Sequence, residues 1–171
     1  MNGQGPRIYL LDTNVFIEAH RRYYSLSICP GFWECLEHYC QEPRVLSIDR
    51  VRKEISEGDA LDSWVQGAPD ELFVSSSEDP VIKTFTQLMN WVNASAQYRQ
   101  EAKEEFARVP DGWIIAYAKV HGMTVVTQET PAPYVKRKVP IPNVCDEFDV
   151  KWKDTFEMLQ ELEVRFNWNH W

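Results

Sequence analysis

The sequence predicts an α/β fold with a central, mostly parallel sheet of about four or five strands. Short apolar runs rich in strand-forming residues alternate along the chain with longer segments whose apolar residues recur at helical intervals. This alternation is typical of a parallel sheet that is covered by helices on both faces. With 171 residues and 44% apolar content, the chain can bury one sizeable core, so we expect a single domain over residues 1–171.

The first half of the chain predicts three strands and five helical segments. The apolar runs place strands at 7–12, 45–48 and 72–75. Helical spacing places helices at 13–23, 32–41, 49 to about 56, 60–65 and from 79 onward. The helix after the second strand can be capped by Asp49 or Ser47, and Gly58 follows its end.

The second half predicts one further strand and three helical segments. A charged helix over 99–108 is followed by Pro110, and a strongly apolar helix begins at Asp111 and stops at Gly122. The next strand covers 123–127, and a proline-rich loop follows it. The spacing predicts a last helix over about 152–165.

The charge balance limits the kinds of partner. The formal net charge is −8, from 18 basic and 26 acidic residues, which disfavours a protein that coats nucleic acid by bulk electrostatics. It disfavours a nuclease less, because several acids would belong to the site itself. No apolar stretch is long enough to span a membrane, and the N-terminal segment has no apolar core for a signal peptide, so we expect a cytoplasmic protein.

Four basic residues are candidates for substrate binding. They fall in two clusters near the acids discussed next: Arg21, Arg22, Arg50 and Lys53. A basic rim around an acidic centre is one interpretation of these clusters, and solvated helix faces explain the same residues.

Asp12 is the strongest candidate functional residue. It directly follows the apolar run Ile8–Leu11 and precedes Thr13-Asn14, where a strand gives way to a helix. Open α/β sheets place their chemistry at the carboxyl ends of such strands. The alternative is a plain helix N-cap, a position that Asp also favours.

Three more acids occupy comparable places: Glu54, Asp111 and Glu129. Taken alone, Asp111 would be interpreted as a helix cap, and Glu54 as a helical glutamate in a surface ion pair. Glu129 follows the predicted strand at 123–127. Three nearby acids are alternatives to it as the fourth acid of the site: Asp146, Glu147 and Asp149.

Four carboxylates in one crevice indicate divalent metal ions. They cannot all stay ionised without a counter-charge, and Mg²⁺ and Mn²⁺ prefer oxygen ligands. Two such ions about 4 Å apart can activate water and stabilise the phosphoryl oxygens during phosphodiester hydrolysis. The scarcity of suitably placed histidines, and the spacing of Cys35, His38 and Cys40, fit zinc poorly. The chain also lacks a Gly-x-Ser-x-Gly elbow and a phosphate-binding glycine-rich loop.

The order of these motifs resembles the PIN-domain superfamily of metal-dependent ribonucleases. The similar segments are Leu10–Ile17, Ser47–Ile55, Asp111–Ala118 and Val125–Glu129. The resemblance implies a three-layer α/β/α fold and a Mg²⁺- or Mn²⁺-dependent endoribonuclease with a two-metal type of mechanism that leaves a 5′-phosphate. It also implies that Asp12, Glu54, Asp111 and Glu129 bind the metal, with Thr13, Asn14 and Thr127 as polar supports.

The resemblance also implies a biological role, and the chain departs from the family pattern in two ways. Bacterial PIN proteins of this size are often toxins of type II toxin–antitoxin pairs, similar to the VapC type, so a cognate antitoxin and a homodimer are implied. In this chain Gln128-Glu129 stands where the family usually has asparagine and aspartate, and the longer side chain could weaken one metal site. The chain is also longer than compact PIN toxins, between Glu54 and Asp111 and at the C-terminus.

Two other functions stay open from the sequence. The altered fourth motif and the acidic surface are compatible with a catalytically silent PIN-like module that binds RNA or protein. A metal-dependent phosphatase of another α/β fold is less favoured, because one common type needs a second aspartate where this chain has Asn14.

Overall fold

A computed structural model describes residues 5–168 of the chain. In that part, five strands form one parallel sheet: β1 Tyr9–Leu11, β2 Val45–Ile48, β3 Phe73–Val74, β4 Thr124–Val126 and β5 Trp152–Lys153. The same residues form nine α-helices: α1 Thr13–Arg21, α2 Pro30–Gln41, α3 Asp49–Glu54, α4 Ala60–Gly67, α5 Asp79–Ala94, α6 Gln100–Arg108, α7 Asp111–His121, α8 Ile141–Glu147 and α9 Thr155–Glu161. A short 3₁₀ helix, Asp70–Leu72, precedes β3.

The strands lie in the order β3-β2-β1-β4-β5, and helices cover both faces of the sheet. Crossovers between parallel strands are right-handed, so connections that run in opposite directions along the sheet lie on opposite faces. The connections toward β3 carry α1–α4, and those toward β5 carry α5–α8. In agreement, α7 packs against α5, α8, β1 and β4. The predicted α/β/α architecture with a parallel sheet is confirmed.

The central strands are short and buried on both sides. Every residue of β1, β2 and β4 is buried, which explains why these strands are mostly apolar and do not alternate between apolar and polar residues. Ser47, inside β2, is also buried and donates a hydrogen bond from Oγ to the carbonyl oxygen of Leu11 at 2.7 Å. This bond fixes the end of β1, immediately before Asp12.

The structure differs from the predicted elements mainly after β4. The predicted helix over 152–165 is wrong at its start, because Trp152–Lys153 pairs with β4 as an edge strand. The helix itself is Thr155–Glu161. Asp154 is its N-cap residue and forms a capping box with Glu157 in the first turn. The proline-rich loop contains α8, which the sequence pattern did not predict. Asp49 was predicted as a possible cap, but it is the first residue of α3 and accepts hydrogen bonds from Ser76 instead.

Among the described residues, no helix combines the length and the apolar character that a membrane crossing needs.

Gly112 allows α7 to lie close to α5 and α6. A Cβ atom added there would lie 2.9 Å from Phe85 Cε2 and 3.1 Å from Phe106 Cε1. Neither ring can move freely, since Phe85 stacks on Trp113 with ring centroids 3.9 Å apart and Phe106 is buried. The close approach sets the position of Asp111, the preceding residue.

We expect Gly112→Ala to lower the free energy of unfolding by about 1–3 kcal/mol, because the added methyl group overpacks this contact. The matched control is Gly67→Ala at the end of α4, where an added Cβ meets nothing within 4 Å. Chemical denaturation of both variants measures the difference. Equal stabilities for the two variants would contradict the assigned contact.

Candidate active site

The sheet topology creates one crevice where the strand order reverses. From β1 the chain builds β2 and β3 on one side, then returns to build β4 and β5 on the other. Ligands of open α/β sheets bind outside the carboxyl ends of the strands at this kind of switch point. Asp12 directly follows β1, and Thr127 directly follows the neighbouring β4.

Asp12 is fully buried at this point. Its Oδ2 accepts a hydrogen bond from Thr127 Oγ1 at 3.1 Å, whereas its Oδ1 is buried and has no hydrogen-bond partner among the described residues. Asp12 occupies the N-cap position of α1. Its side chain makes no hydrogen bond of capping geometry to the helix, although the backbone N–H of Asn14 lies close enough to act on its charge. A buried carboxylate oxygen without a hydrogen-bond partner is costly, so a donor or a cation would be stabilised there.

The other predicted acids lie close enough to Asp12 to change its protonation. Burial and the negative charges of Glu129 and Glu54 raise the pKa of Asp12 to about 7, although Thr127 and the backbone N–H of Asn14 act in the opposite direction. Burial and the charges of the other three acids raise the pKa of Asp111 well above its usual range. The structure therefore brings the four acids into one electrostatic neighbourhood.

Glu54 joins this neighbourhood through Thr13. Thr13 Oγ1 donates a hydrogen bond to Glu54 Oε2 at 2.5 Å, and Thr13 is itself buried. Because Thr13 is the residue after Asp12, this bond connects the last residue of α3 to the end of β1. Glu54 is otherwise exposed, so its side chain is accessible from solvent.

Glu129 has both carboxylate oxygens engaged. Lys138 Nζ forms an ion pair with Oε1, and the backbone N–H of Ile141 donates to Oε2 at 2.8 Å. Its own backbone N–H donates to Thr127 Oγ1 at 3.2 Å. The longer side chain at this motif position therefore reaches the loop that carries Lys138.

Lys138 supplies a positive charge to the acidic cluster. Burial lowers its pKa, but the hydrogen bond to Glu129 and the charges of Glu129, Asp111 and Asp12 outweigh this effect and raise the pKa overall. Sequence reasoning missed Lys138 as a site residue. The only signal was the basic run 136–138 in the proline-rich loop, which does not distinguish Lys138 from its neighbours.

The acids share this neighbourhood without converging on a single point. Among residues 5–168, no group of three or more His, Cys, Asp or Glu side chains is arranged to hold a metal ion in this conformation. Asn14, predicted as a polar support, lies half-buried on a pocket wall that it shares with Glu129.

Two of the predicted substrate-binding bases flank Glu54 in a pocket of about 320 Å³. Arg50 and Lys53 line this pocket together with Arg108 and Trp113. The Arg50 guanidinium carbon lies 3.7 Å from the centroid of the Trp113 ring, and its Nε donates to Ser76 Oγ at 3.0 Å. Arg50 is therefore held in place, whereas Lys53 has no ion pair with the other described residues.

Arg21 and Arg22 both form ion pairs on the outer face of α1. Arg21 lies 3.6 Å from Glu57, and Arg22 Nε lies 2.6 Å from Glu18. Such exposed pairs fit the solvated-face interpretation. Arg22 also borders a pocket of about 470 Å³ that Glu129 lines.

Comparison with known families adds a classification. A family model described as "Domain of unknown function (DUF4411)" matches residues 9–166, a span that includes all four acids. The chain belongs to this family. A comparison with curated proteins found no match. The family description carries no activity, so function has to be argued from the site.

We expect Asp12→Asn to stabilise the protein at neutral and alkaline pH in the absence of divalent cations. The folded-state pKa of about 7 exceeds the unfolded value of about 4, so the wild-type protein loses stability as the pH rises between these values. The gain at pH 8 is on the order of a few kcal/mol, or roughly 10 °C in Tm, and it disappears toward pH 4.

Thermal unfolding followed by circular dichroism in EDTA, between pH 4 and pH 8, measures this effect. Asp149→Asn is the matched control, because Asp149 is exposed and has a positive φ of 60° that asparagine also tolerates. A Tm of Asp12→Asn equal to that of the wild type at pH 8 would show that Asp12 carries no electrostatic strain.

Proposed function

We propose that this protein is a metal-dependent endoribonuclease with a PIN-like site. The observation that carries the proposal is the fully buried Asp12 carboxylate, which has one oxygen without a hydrogen-bond partner at the β1/β4 switch point. Three other acids act on its charge there. A cation at this position would offset both the unsatisfied oxygen and the clustered negative charge.

The donor set fits Mg²⁺ or Mn²⁺. The candidate ligands offer only carboxylate oxygens, which these hard cations prefer. Asp12 and Asp111 would hold the ion, with Glu54 accessible beside them. When bound, the ion would supply positive charge that stabilises phosphoryl oxygens and lowers the pKa of water.

Glu129 would act as a positioning residue. Its two oxygens hold Lys138 and the start of α8, so it keeps an ammonium group next to the acids. About half of the Lys138 side chain is exposed, which makes the group accessible to a phosphate. Lys53 and Arg50, beside Glu54, would contact phosphates further along the RNA.

A second candidate function is a catalytically silent PIN-like module that binds RNA or protein. The engaged oxygens of Glu129 favour it, together with the lack, among the described residues, of three acids arranged around one point. Metal binding distinguishes the two candidates, because a silent module does not need a carboxylate-dependent cation site.

We expect Asp12→Asn and Asp111→Asn each to reduce Mn²⁺-dependent cleavage of single-stranded RNA by about two orders of magnitude or more, since each removes an acid from the proposed cation site. Cleavage of a labelled RNA, followed on denaturing gels, measures the rate. The exposed Asp149→Asn is the control and should cleave like the wild type. Wild-type rates in both site variants would refute the assignment.

Calorimetric titration with Mn²⁺ separates the two candidate functions. A nuclease site should bind Mn²⁺ in the wild type and in Asp149→Asn, and much more weakly in Asp12→Asn. If the wild type shows no Mn²⁺ binding and no RNA cleavage, the silent module becomes the better description.

The toxin role belongs to the same proposal and rests on the resemblance in the motifs. We expect induced expression of the wild-type chain to arrest the growth of a bacterial culture, and expression of Asp12→Asn at the same level to have no effect, because arrest requires RNA cleavage. Growth curves with immunoblots for equal expression test this. Normal growth with the active wild-type enzyme would exclude the toxin role while leaving the nuclease assignment intact.

A further inference from the structure

A pocket of about 470 Å³ is bordered by Glu129, one of the four acids. Its walls come from α1, the segment after β4, and the start of α9. We call it the Thr155 pocket and define it by Asn14, Arg22, Tyr23, Gln128, Thr155 and Phe156. Its volume falls in the range of small-molecule sites.

The pocket and the acidic centre share their framework. Asn14 lies two residues after Asp12, and Gln128 lies between Thr127 and Glu129. Glu129 itself also lines the pocket. A ligand in the Thr155 pocket would therefore lie next to the proposed cation site.

Thr155 lines this pocket and carries an unpartnered hydroxyl. The residue is only 1% exposed, and its Oγ1 is buried without a hydrogen-bond partner among the described residues. A buried hydroxyl without a partner costs free energy, so a donor or acceptor from a ligand would be stabilised there. The carboxamide of Gln128 can both donate and accept at the same pocket.

Two aromatic rings give the pocket an accessible stacking surface. Tyr23 is 69% exposed and Phe156 is 45% exposed, and their ring centroids lie 6.3 Å apart in an edge-to-face arrangement. Single-stranded RNA is bound by stacking its bases on such rings and by hydrogen bonds to the base edges.

The charges in the pocket favour a neutral group over a phosphate. Arg22 is already paired with Glu18, which also lines the pocket, and Glu129 adds a second carboxylate. An anion would meet these carboxylates, whereas a base would meet the rings, the amide and the unpartnered hydroxyl.

We propose that the Thr155 pocket binds one nucleobase of the RNA, that of a nucleotide next to the cleaved phosphate. The identity of the ligand rests on the proposed nuclease function. The base stacks against Phe156 and Tyr23, and its edge forms hydrogen bonds with Thr155 Oγ1 and the Gln128 carboxamide. The pocket thereby selects which phosphate lies at the acidic centre.

The test is binding of AMP, GMP, CMP and UMP to the full chain in EDTA, followed by two-dimensional NMR, with ribose 5-phosphate as the probe that lacks a base. At least one nucleotide should bind, and ribose 5-phosphate should not. Thr155→Val and Phe156→Leu should each weaken nucleotide binding by about fivefold or more. Thr155→Val should not lower the Tm, because the lost hydroxyl has no hydrogen-bond partner among the described residues.

Two control variants match these changes outside the pocket. Thr86→Val removes an exposed hydroxyl on α5, and Tyr134→Leu removes a ring that is 90% exposed in the proline-rich loop. Both should bind nucleotide like the wild type. Failure of all four nucleotides to bind, or wild-type binding by both Thr155→Val and Phe156→Leu, would overturn the proposal.

The test of the base site and the test of the nuclease assignment can fail independently of each other. Asp12→Asn should keep nucleotide binding in EDTA, since the pocket does not need a cation. Nucleotide binding that depends on Thr155 and Phe156, without any RNA cleavage by the wild type, would leave the base site standing and refute the nuclease. RNA cleavage by the wild type without nucleotide binding would refute the base site and leave the nuclease assignment standing.

Discussion

The burial of the Asp12 carboxylate is the constraint on which the rest of the site depends. A fully buried carboxylate needs hydrogen bonds or a counter-charge, and among the described residues Thr127 donates to its Oδ2 whereas its Oδ1 has no hydrogen-bond partner. The apolar strands β1 and β4 fix its position, so the chain cannot relieve this cost by turning Asp12 toward solvent. The compensation has to come from outside the sheet, and Lys138 is the base whose charge acts on this cluster from the loop after β4.

The longer side chain of Glu129 contacts both the start of α8 and the positive charge near Asp12. The first backbone N–H groups of a helix have no partner within the helix, and a carboxylate near them is stabilised. Pro140, at the N-cap of α8, makes no side-chain cap, and Glu129 Oε2 accepts the N–H of Ile141 instead. The same carboxylate holds Lys138 through its other oxygen. One residue therefore caps a helix and places a positive charge beside Asp12.

The sequence predicted what local patterns determine and missed what depends on distant partners. The buried strands before Asp12 and Glu129 are continuous apolar runs, so the strands and the acids after them could be predicted together. Helix α8 was missed because its cap, Glu129, lies 12 residues before Ile141. The edge strand β5 was missed because its two residues are defined only by pairing with β4, although the Asp154–Glu157 capping box marks the true start of the last helix. Thr155 and Phe156 reach the candidate site only through this tertiary arrangement.

The acidic composition of the chain also bears on how such a site could recognise RNA. A protein with a net charge of −8 gains little from general attraction to phosphates, and its bases near the site are few. Arg50 is held by Trp113 and Ser76, and Arg22 by Glu18, so both are partly neutralised or fixed before any ligand arrives. On the proposed function, affinity then has to come from short-range contacts, namely base stacking and a cation shared between carboxylates and phosphate. Stacking is less sensitive to salt than phosphate pairing is, but it accepts every base. Selection among bases would require hydrogen bonds to the base edge, which the Thr155 pocket is proposed to supply.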